Sequence, residues 1–267
     1  MIIERTYKLL KSKYSELIDN ITIEKVCIGV FLTAVRLSDN SSGVASTMPS
    51  PSSQCLKKNR RFDDFSPSKI SGQLVRDLFE CSPQNNITDT LKLAVLNALS
   101  SKIINNGNYK IIEDADPIDI LDLNSKKKIT LVGAFNSYIR KISETNSELK
   151  VLEFNESSFI EEHRRFYVPA NEYIDIIPKS DIVVITGLTL VNNTIGGLLD
   201  VISPHSKVVL TGPSSSLIPD ILFENKVDII GATRINDSEM LFKVVSEGGT
   251  GFHLFKYCAT KICILKE

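Results

Sequence analysis

The sequence predicts an α/β protein in which a Rossmann-like parallel sheet fills the C-terminal half and a smaller α+β unit precedes it. Three observations carry that prediction. From Ile129 onward, short β-branched apolar runs alternate with helical patterns, which specifies a parallel sheet covered by helices on both faces. Two of these runs, Asp181–Ile185 and Val208–Leu210, open into turns rich in Gly, Thr, Asn and Ser. Such turns form the polar carboxyl edge where open α/β sheets take ligands. Residues 1–112 lack the alternation and read instead as a hairpin followed by helices.

Taken in order, Ile3, Tyr7, Leu10, Tyr14 and Leu17 recur at helical spacing over residues 2–19. Residues 23–37 turn β-like, break at Ser38-Asp39-Asn40-Ser41-Ser42-Gly43 and return through Val44–Met48 as a hairpin, ended by Pro49 and Pro51. Its Thr47–Pro49 end is expected to face the edge of the C-terminal sheet. Residues 52–66 are polar and carry Lys57-Lys58-Asn59-Arg60-Arg61, a solvated loop or an anion-attracting rim. Helical patterns cover 68–79 and 87–104, and Asn105-Asn106-Gly107-Asn108 stops the second.

These elements make residues 1–112 one domain. The acidic turn Glu113–Pro117 and the run Asn124–Lys128 make 113–128 a linker, and 129–267 is the Rossmann-like domain. Its strands are expected at 129–132, 150–154, 182–185, 208–210, 227–230 and 262–265. Its clearest helix is expected at 237–247, opened by the capping-box spacing of Asn236 and Glu239 and closed by Gly248-Gly249.

A 42% hydrophobic and 24% charged composition is that of a soluble globular chain, and a net charge of -1 gives no electrostatic reason to expect nucleic acid or an anionic membrane. The five cysteines are odd in number and scattered without a Cys-x-x-Cys pair, so they read as free thiols of a reducing compartment. The segment Met1–Arg5 carries an early acid, and no apolar run approaches the length of a membrane span. The expected location is the cytoplasm, and the expected partner is a small-molecule ligand, with neither nucleic acid nor membrane and with a homo-oligomer left open.

Familiar catalytic and cofactor signatures are missing. The strand 129–132 leads into a single glycine, Gly133, where a dinucleotide fold places three, so classical NAD binding is not expected. Glu153 does end the second strand, where an acid would hold a ribose hydroxyl; a surface carboxylate is the alternative. His163, His205 and His253 lie in separate segments with no metal-ligand spacing. No Gly-x-Ser-x-Gly elbow occurs, and Pro213 lacks the backbone donor that an oxyanion hole would use.

The two polar turns remain. The hydroxyls of Thr186, Thr189 and Thr194, the Asn192 amide and the N–H groups opening the next helix are neutral donors suited to a carboxylate, phosphate or other oxygen-rich ligand. Turn formation and helix capping by the same residues are the alternative. Val132-Gly133-Ala134-Phe135, the run from Thr186 to Thr194, Gly212-Pro213-Ser214 and Gly248-Gly249-Thr250 together resemble the bacterial and archaeal domain-of-unknown-function family described as "putative heavy-metal chelation". The resemblance spans nearly the whole chain, and its most specific part is Thr-Gly-x-Thr-Leu-x-Asn-x-Thr. This chain departs from the family at Ser215-Ser216, where Thr-Pro is frequent, and at Ala134 and Asn136, where His or Pro stands near the first turn.

The resemblance implies an enolase N-terminal-like domain before the Rossmann-like one. With the residue reading, it gives a ligand-binding set of Gly133, Phe135, Thr186, Gly187, Thr189, Asn192, Thr194, Gly212, Pro213 and Ser214, joined by Thr47 and Pro49 from the hairpin. Glu153 is the cofactor candidate. No catalytic residue or metal ligand is assigned, and the cofactor is left unknown, with a metal or chelated metal open. The expected function is binding or processing of an oxygen-rich anionic small molecule, a heavy-metal chelator among the candidates, in a cleft between the domains. One alternative is a transferase or lyase using a nucleotide-type cofactor on the Rossmann edge. Another is a non-catalytic interaction protein that makes contact through residues 52–66.

Overall fold

The computed structural model describes residues 2–48, 65–81, 86–123 and 125–267. Pro49, Cys55 and the basic run Lys57–Arg61 lie outside the described residues.

The N-terminal unit opens with α1 (Ile2–Lys13) and α2 (Ser15–Ile18). A three-stranded antiparallel sheet follows, made of β1 (Ile23–Ile28), β2 (Leu32–Leu37) and β3 (Ser42–Ser46) in that order. The expected single hairpin is therefore a meander, because the β-like run 23–37 folds back on itself where Gly29 N–H donates to the Leu32 carbonyl at 2.9 Å. A continuous apolar run hides such a turn from periodicity. Next come α3 (Val75–Glu80), much shorter than the expected 68–79 helix, and the long α4 (Asn86–Asn106). Helix α4 is apolar nearly all round because it is buried nearly all round. Strand β3 rides directly on it: a Cβ at Gly43 would lie 2.2 Å from the Ala94 carbonyl oxygen, so only glycine permits the approach.

The large sheet has eight strands, and its first, β4 (Lys110–Glu113), comes from the end of the N-terminal segment. After α5 (Pro117–Ile120) come β5 (Lys128–Val132), α6 (Asn136–Ser143), β6 (Glu148–Glu153) and β7 (Tyr167–Pro169). The chain continues through α7 (Tyr173–Ile176), β8 (Ile182–Thr186), α8 (Leu188–Val191), α9 (Ile195–Asp200) and β9 (Lys207–Thr211). It ends with α10 (Asp220–Glu224), β10 (Ile229–Ile235), α11 (Ser238–Ser246), α12 (Gly251–Tyr257) and β11 (Ala259–Leu265).

The spatial order is β4-β11-β10-β9-β8-β5-β6-β7. The six strands from β10 to β7 are parallel, whereas β11 pairs antiparallel with both β10 and β4. The expectation of a purely parallel sheet is corrected at this edge: β11 follows α12 without a crossover of the βαβ kind. The expected cap of α11 is corrected too, since Asp237 rather than Asn236 caps it, its carboxylate accepting from Met240 N–H at 2.9 Å.

Side chains alternate across the sheet. Val132, Leu152, Val183, Ile185, Val208 and Leu210 face one way, into a core they share with Leu10, Val35, Leu37 and Leu96 of the N-terminal unit. Ile129, Leu131, Val151, Val184 and Val209 face the other way, toward α5 and α6. A third cluster joins β2 and β3 to α11 and α12, so the small sheet is sandwiched between α4 and α11. The N-terminal unit thus packs on the large sheet through continuous apolar contact. No helix among the described residues is long and apolar enough to cross a membrane.

Candidate functional site

The chain leaves β5 outward to β6 and β7, then returns to the opposite side of β5 for β8, β9 and β10. The reversal falls between β5 and β8, and such a switch point opens a crevice at the carboxyl ends of the two strands. A cleft of about 650 Å³ sits there, of the size that holds small molecules. Gly133, directly after β5, and Thr186 of β8 line it, together with Glu153 at the end of β6. Asn192 and Thr194 also line it, as do Phe154, Tyr167, Pro169 and Tyr173.

All of its lining falls between residues 132 and 198. The sequence placed the cleft between the domains; the cleft around Thr186 lies instead within the C-terminal unit, because the facing surfaces of the two units close into one core.

The structure brings Gly133, Glu153, Thr186, Thr189, Asn192 and Thr194 of the predicted set to this cleft. Their hydrogen bonds fix what each can offer. Thr189 is buried and its hydroxyl donates to the Thr186 carbonyl at 2.7 Å, so it has no proton left for a ligand. The Thr194 hydroxyl donates to Asn192 Oδ1 at 2.7 Å, and Thr194 N–H donates to the same oxygen at 3.2 Å. Thr186 Oγ1 accepts from Leu188 N–H at 3.3 Å, which leaves its own proton to give. Among the described residues Asn192 Nδ2 likewise has no acceptor, so the free neutral donors of the predicted set are Thr186 and Asn192, and the lining adds the amides of Asn171 and Asn193 and the hydroxyls of Tyr167 and Tyr173.

The Glu153 carboxylate is held rather than adrift. Oε2 accepts from Ala134 N–H at 3.1 Å, and Oε1 accepts from Phe154 N–H at 2.8 Å and Asn155 N–H at 3.4 Å. Among the described residues it is the one formal charge in the lining, which includes no Lys, Arg or His.

The second predicted turn is oriented elsewhere. Ser214 is fully buried, its Oγ accepts from Ser46 N–H at 2.8 Å, and its carbonyl accepts from Asn97 Nδ2 at 3.2 Å. Ser215 Oγ lies 2.6 Å from the carbonyls of both Gly212 and Gly231. Gly212, Pro213 and Ser214 therefore knit the large sheet to β3 and α4, and Gly187 packs against them through Ser214 and Ser215. Phe135 stacks on Tyr138, with ring centroids 5.3 Å apart, and packs in the core beneath α6. Thr47 pairs with Thr33 through their hydroxyls at 2.9 Å. Neither lines the cleft.

The sequence reading missed Phe154, Tyr167, Pro169 and Tyr173. Strand β7 is only three residues long and lies between 3-10 turns, so it carries no periodic signal. A proline closing an edge strand beside two tyrosines was the available clue. Each histidine makes a local hydrogen bond: His163 Nδ1 lies 3.1 Å from Asn136 Oδ1, His205 pairs with Ser203, and His253 completes the cap of α12.

A doubly wound sheet with an antiparallel edge and a cleft at its switch point defines an α/β protein of the Rossmann-like type. A family model described as "Putative heavy-metal chelation" matches residues 116–264, and a second of the same description matches residues 11–100. The chain belongs to this family. It is similar along its whole length to a solved protein of unknown function from the DUF364 family of Pyrococcus horikoshii, with 21% identity, full coverage of both chains and a TM-score of 0.79. A second DUF364 protein of unknown function, from Desulfitobacterium hafniense DCB-2, gives 19% identity, 98% coverage of this chain, 100% of its own and a TM-score of 0.74. No curated protein matches.

A heavy metal held directly by the chain would need converging soft or imidazole ligands. Among the described residues no three His, Cys, Asp or Glu side chains gather in that way. Cys258 and Cys263 are buried, which pushes their thiols up to about 11 and about 12, away from the thiolate a metal would bind. These residues do not fit a directly bound heavy metal.

Proposed function

We propose that the switch-point cleft binds or processes an oxygen-rich small molecule that carries a metal as its chelate. The observation that carries this reading is the cleft's polar equipment: neutral donors at the carboxyl edge of the sheet, Thr186 and Asn192 foremost, with the amides of Asn171 and Asn193 and the hydroxyls of Tyr167 and Tyr173 beside them, and no cationic side chain in the lining among the described residues. A free polyanionic chelator would find nothing there to neutralise it and would face the Glu153 carboxylate. The metal of a chelate offsets the chelator's negative charge, leaving coordinated oxygens that accept from a hydroxyl and an amide. The family description supports a link to chelation, and the donor chemistry favours a chelate over a bare ion.

Calorimetric titration with carboxylate and catechol chelators tests this, each offered free, as its iron or zinc complex, and against the metal ion alone. The complex should bind more tightly than the free chelator, and the ion alone should not bind in the cleft. Binding of the bare ion that is lost in the Glu153→Gln variant would overturn the proposal.

A further inference from the structure

We infer that the β6–β7 end of the cleft is a subsite for a nucleoside without phosphate, beside the Thr186–Asn192 end; this rests on the reading of the cleft as a ligand site. Phe154 is 78% exposed, the highest value among the described large apolar side chains, yet it lines the concave site at the end of β6. An aromatic face left in water beside a cleft suits stacking by a planar heterocycle.

The preceding residue is Glu153, whose carboxylate is fixed by backbone N–H groups of the turn after β5 and of the turn after its own strand. A carboxylate has about four acceptor positions. Three are taken in this way, and the remainder can accept from a sugar hydroxyl. Base platform and hydroxyl acceptor are thus adjacent in the chain and open on one cavity.

The same cavity argues against a phosphate. Gly133 is the lone glycine of the first turn, Glu153 would repel an anion, and among the described residues no basic side chain is present in the lining. The subsite therefore differs from a dinucleotide site in the part of the ligand it recognises. Tyr167 and Pro169 of β7 wall its outer side.

Ligand-observed NMR and calorimetry on the full chain test the inference with adenosine, guanosine, cytidine and uridine, their 2′,3′-dideoxy forms and their 5′-monophosphates. At least one ribonucleoside should bind saturably, its dideoxy form roughly tenfold or more weakly, and its monophosphate no more tightly. Glu153→Gln, which removes the charge and one of the two acceptor oxygens, should narrow the gap between the ribo and dideoxy forms. Phe154→Ala, at an exposed position where folding is not at stake, should weaken both alike.

Absence of saturable nucleoside binding, equal affinity of the ribo and dideoxy forms in the unmutated protein, or tighter binding of the monophosphate would overturn it. If a metal chelate binds and nucleosides do not, only the nucleoside subsite falls. If neither binds, the cleft itself is not the site.

Discussion

Gly133 and Thr186 meet across the switch point of the large sheet, and a methyl group on Gly133 would lie 3.2 Å from Thr186 Cγ2. Gly133 also has φ +106°, where a side chain is strained whatever space surrounds it. Gly133→Ala is expected to cost about 1–3 kcal/mol of stability, measured by urea unfolding. Adding Thr186→Ser removes Cγ2 and should restore only part of the loss, because the backbone strain remains. Full restoration would show that contact alone sets the cost.

Asn97 ties three segments together from within the core. Its Nδ2 donates to the Val44 carbonyl at 2.8 Å and to the Ser214 carbonyl at 3.2 Å, so α4 holds β3 and the Gly212 turn at once. Asn97→Leu keeps the volume and leaves two buried carbonyls short of a donor, at about 1–3 kcal/mol for each group left unsatisfied. The expected outcome is one cooperative unfolding transition at lower denaturant, since the two units share a core. A separate early transition of the N-terminal unit would contradict that shared core.

The alternation after Ile129 was legible because strands buried on both faces are written as apolar runs, and β5, β6, β8 and β9 fall where those runs stand. The short edge strand β7 and the β1–β2 turn were not, because neither a three-residue strand nor a turn inside an apolar run changes the period. The first polar turn was legible as a polar end of a buried strand, and it lines the cleft. That the Gly212 turn bonds inward depends on Asn97 and Ser46, more than a hundred residues away in sequence, and no local pattern records such partners.

Asp116 makes folding sensitive to acid. Burial alone would raise its carboxyl, but hydrogen bonds from Lys261 at 2.6 Å and from the Tyr138 hydroxyl outweigh burial and hold it below the usual carboxylate range. A depressed folded-state value contributes stability above the ordinary carboxylate range, and that contribution is lost as pH falls through the folded value. Asp116→Asn should therefore destabilise the protein at pH 7, and the gap between the two proteins should close on acidification. A gap that stays constant down to acid unfolding would remove Asp116 from the account.

The thiols should be slow to react. A thiol at about 11 is ionised to only about 10⁻⁴ at pH 7, and Cys263, at about 12, less still. Thiol reagents at neutral pH should leave Cys258 and Cys263 unmodified in the folded protein, and all five cysteines should titrate after denaturation without reductant. Fewer than five would reveal a disulfide or a tightly held metal.

The hydroxyls of Thr189 and Thr186 provide the sharpest test of the cleft, because they sit three residues apart and differ in where their protons go. Thr189 gives its proton to the Thr186 carbonyl and is buried, so Thr189→Val should lower stability by about 1 kcal/mol and leave chelate affinity nearly unchanged. Among the described residues the Thr186 hydroxyl only accepts, at 3.3 Å, so its proton is free for a ligand, and Thr186→Val should weaken chelate binding about fivefold with a smaller effect on folding. Asn192→Asp keeps an oxygen for Thr194 N–H and Oγ1, removes the free amide and adds a charge, and should weaken an oxygen-rich chelate further. Titration paired with thermal unfolding separates the two effects. If Thr189→Val loses affinity while Thr186→Val retains it, the ligand approaches the turn from another side and the donor assignment made here is wrong.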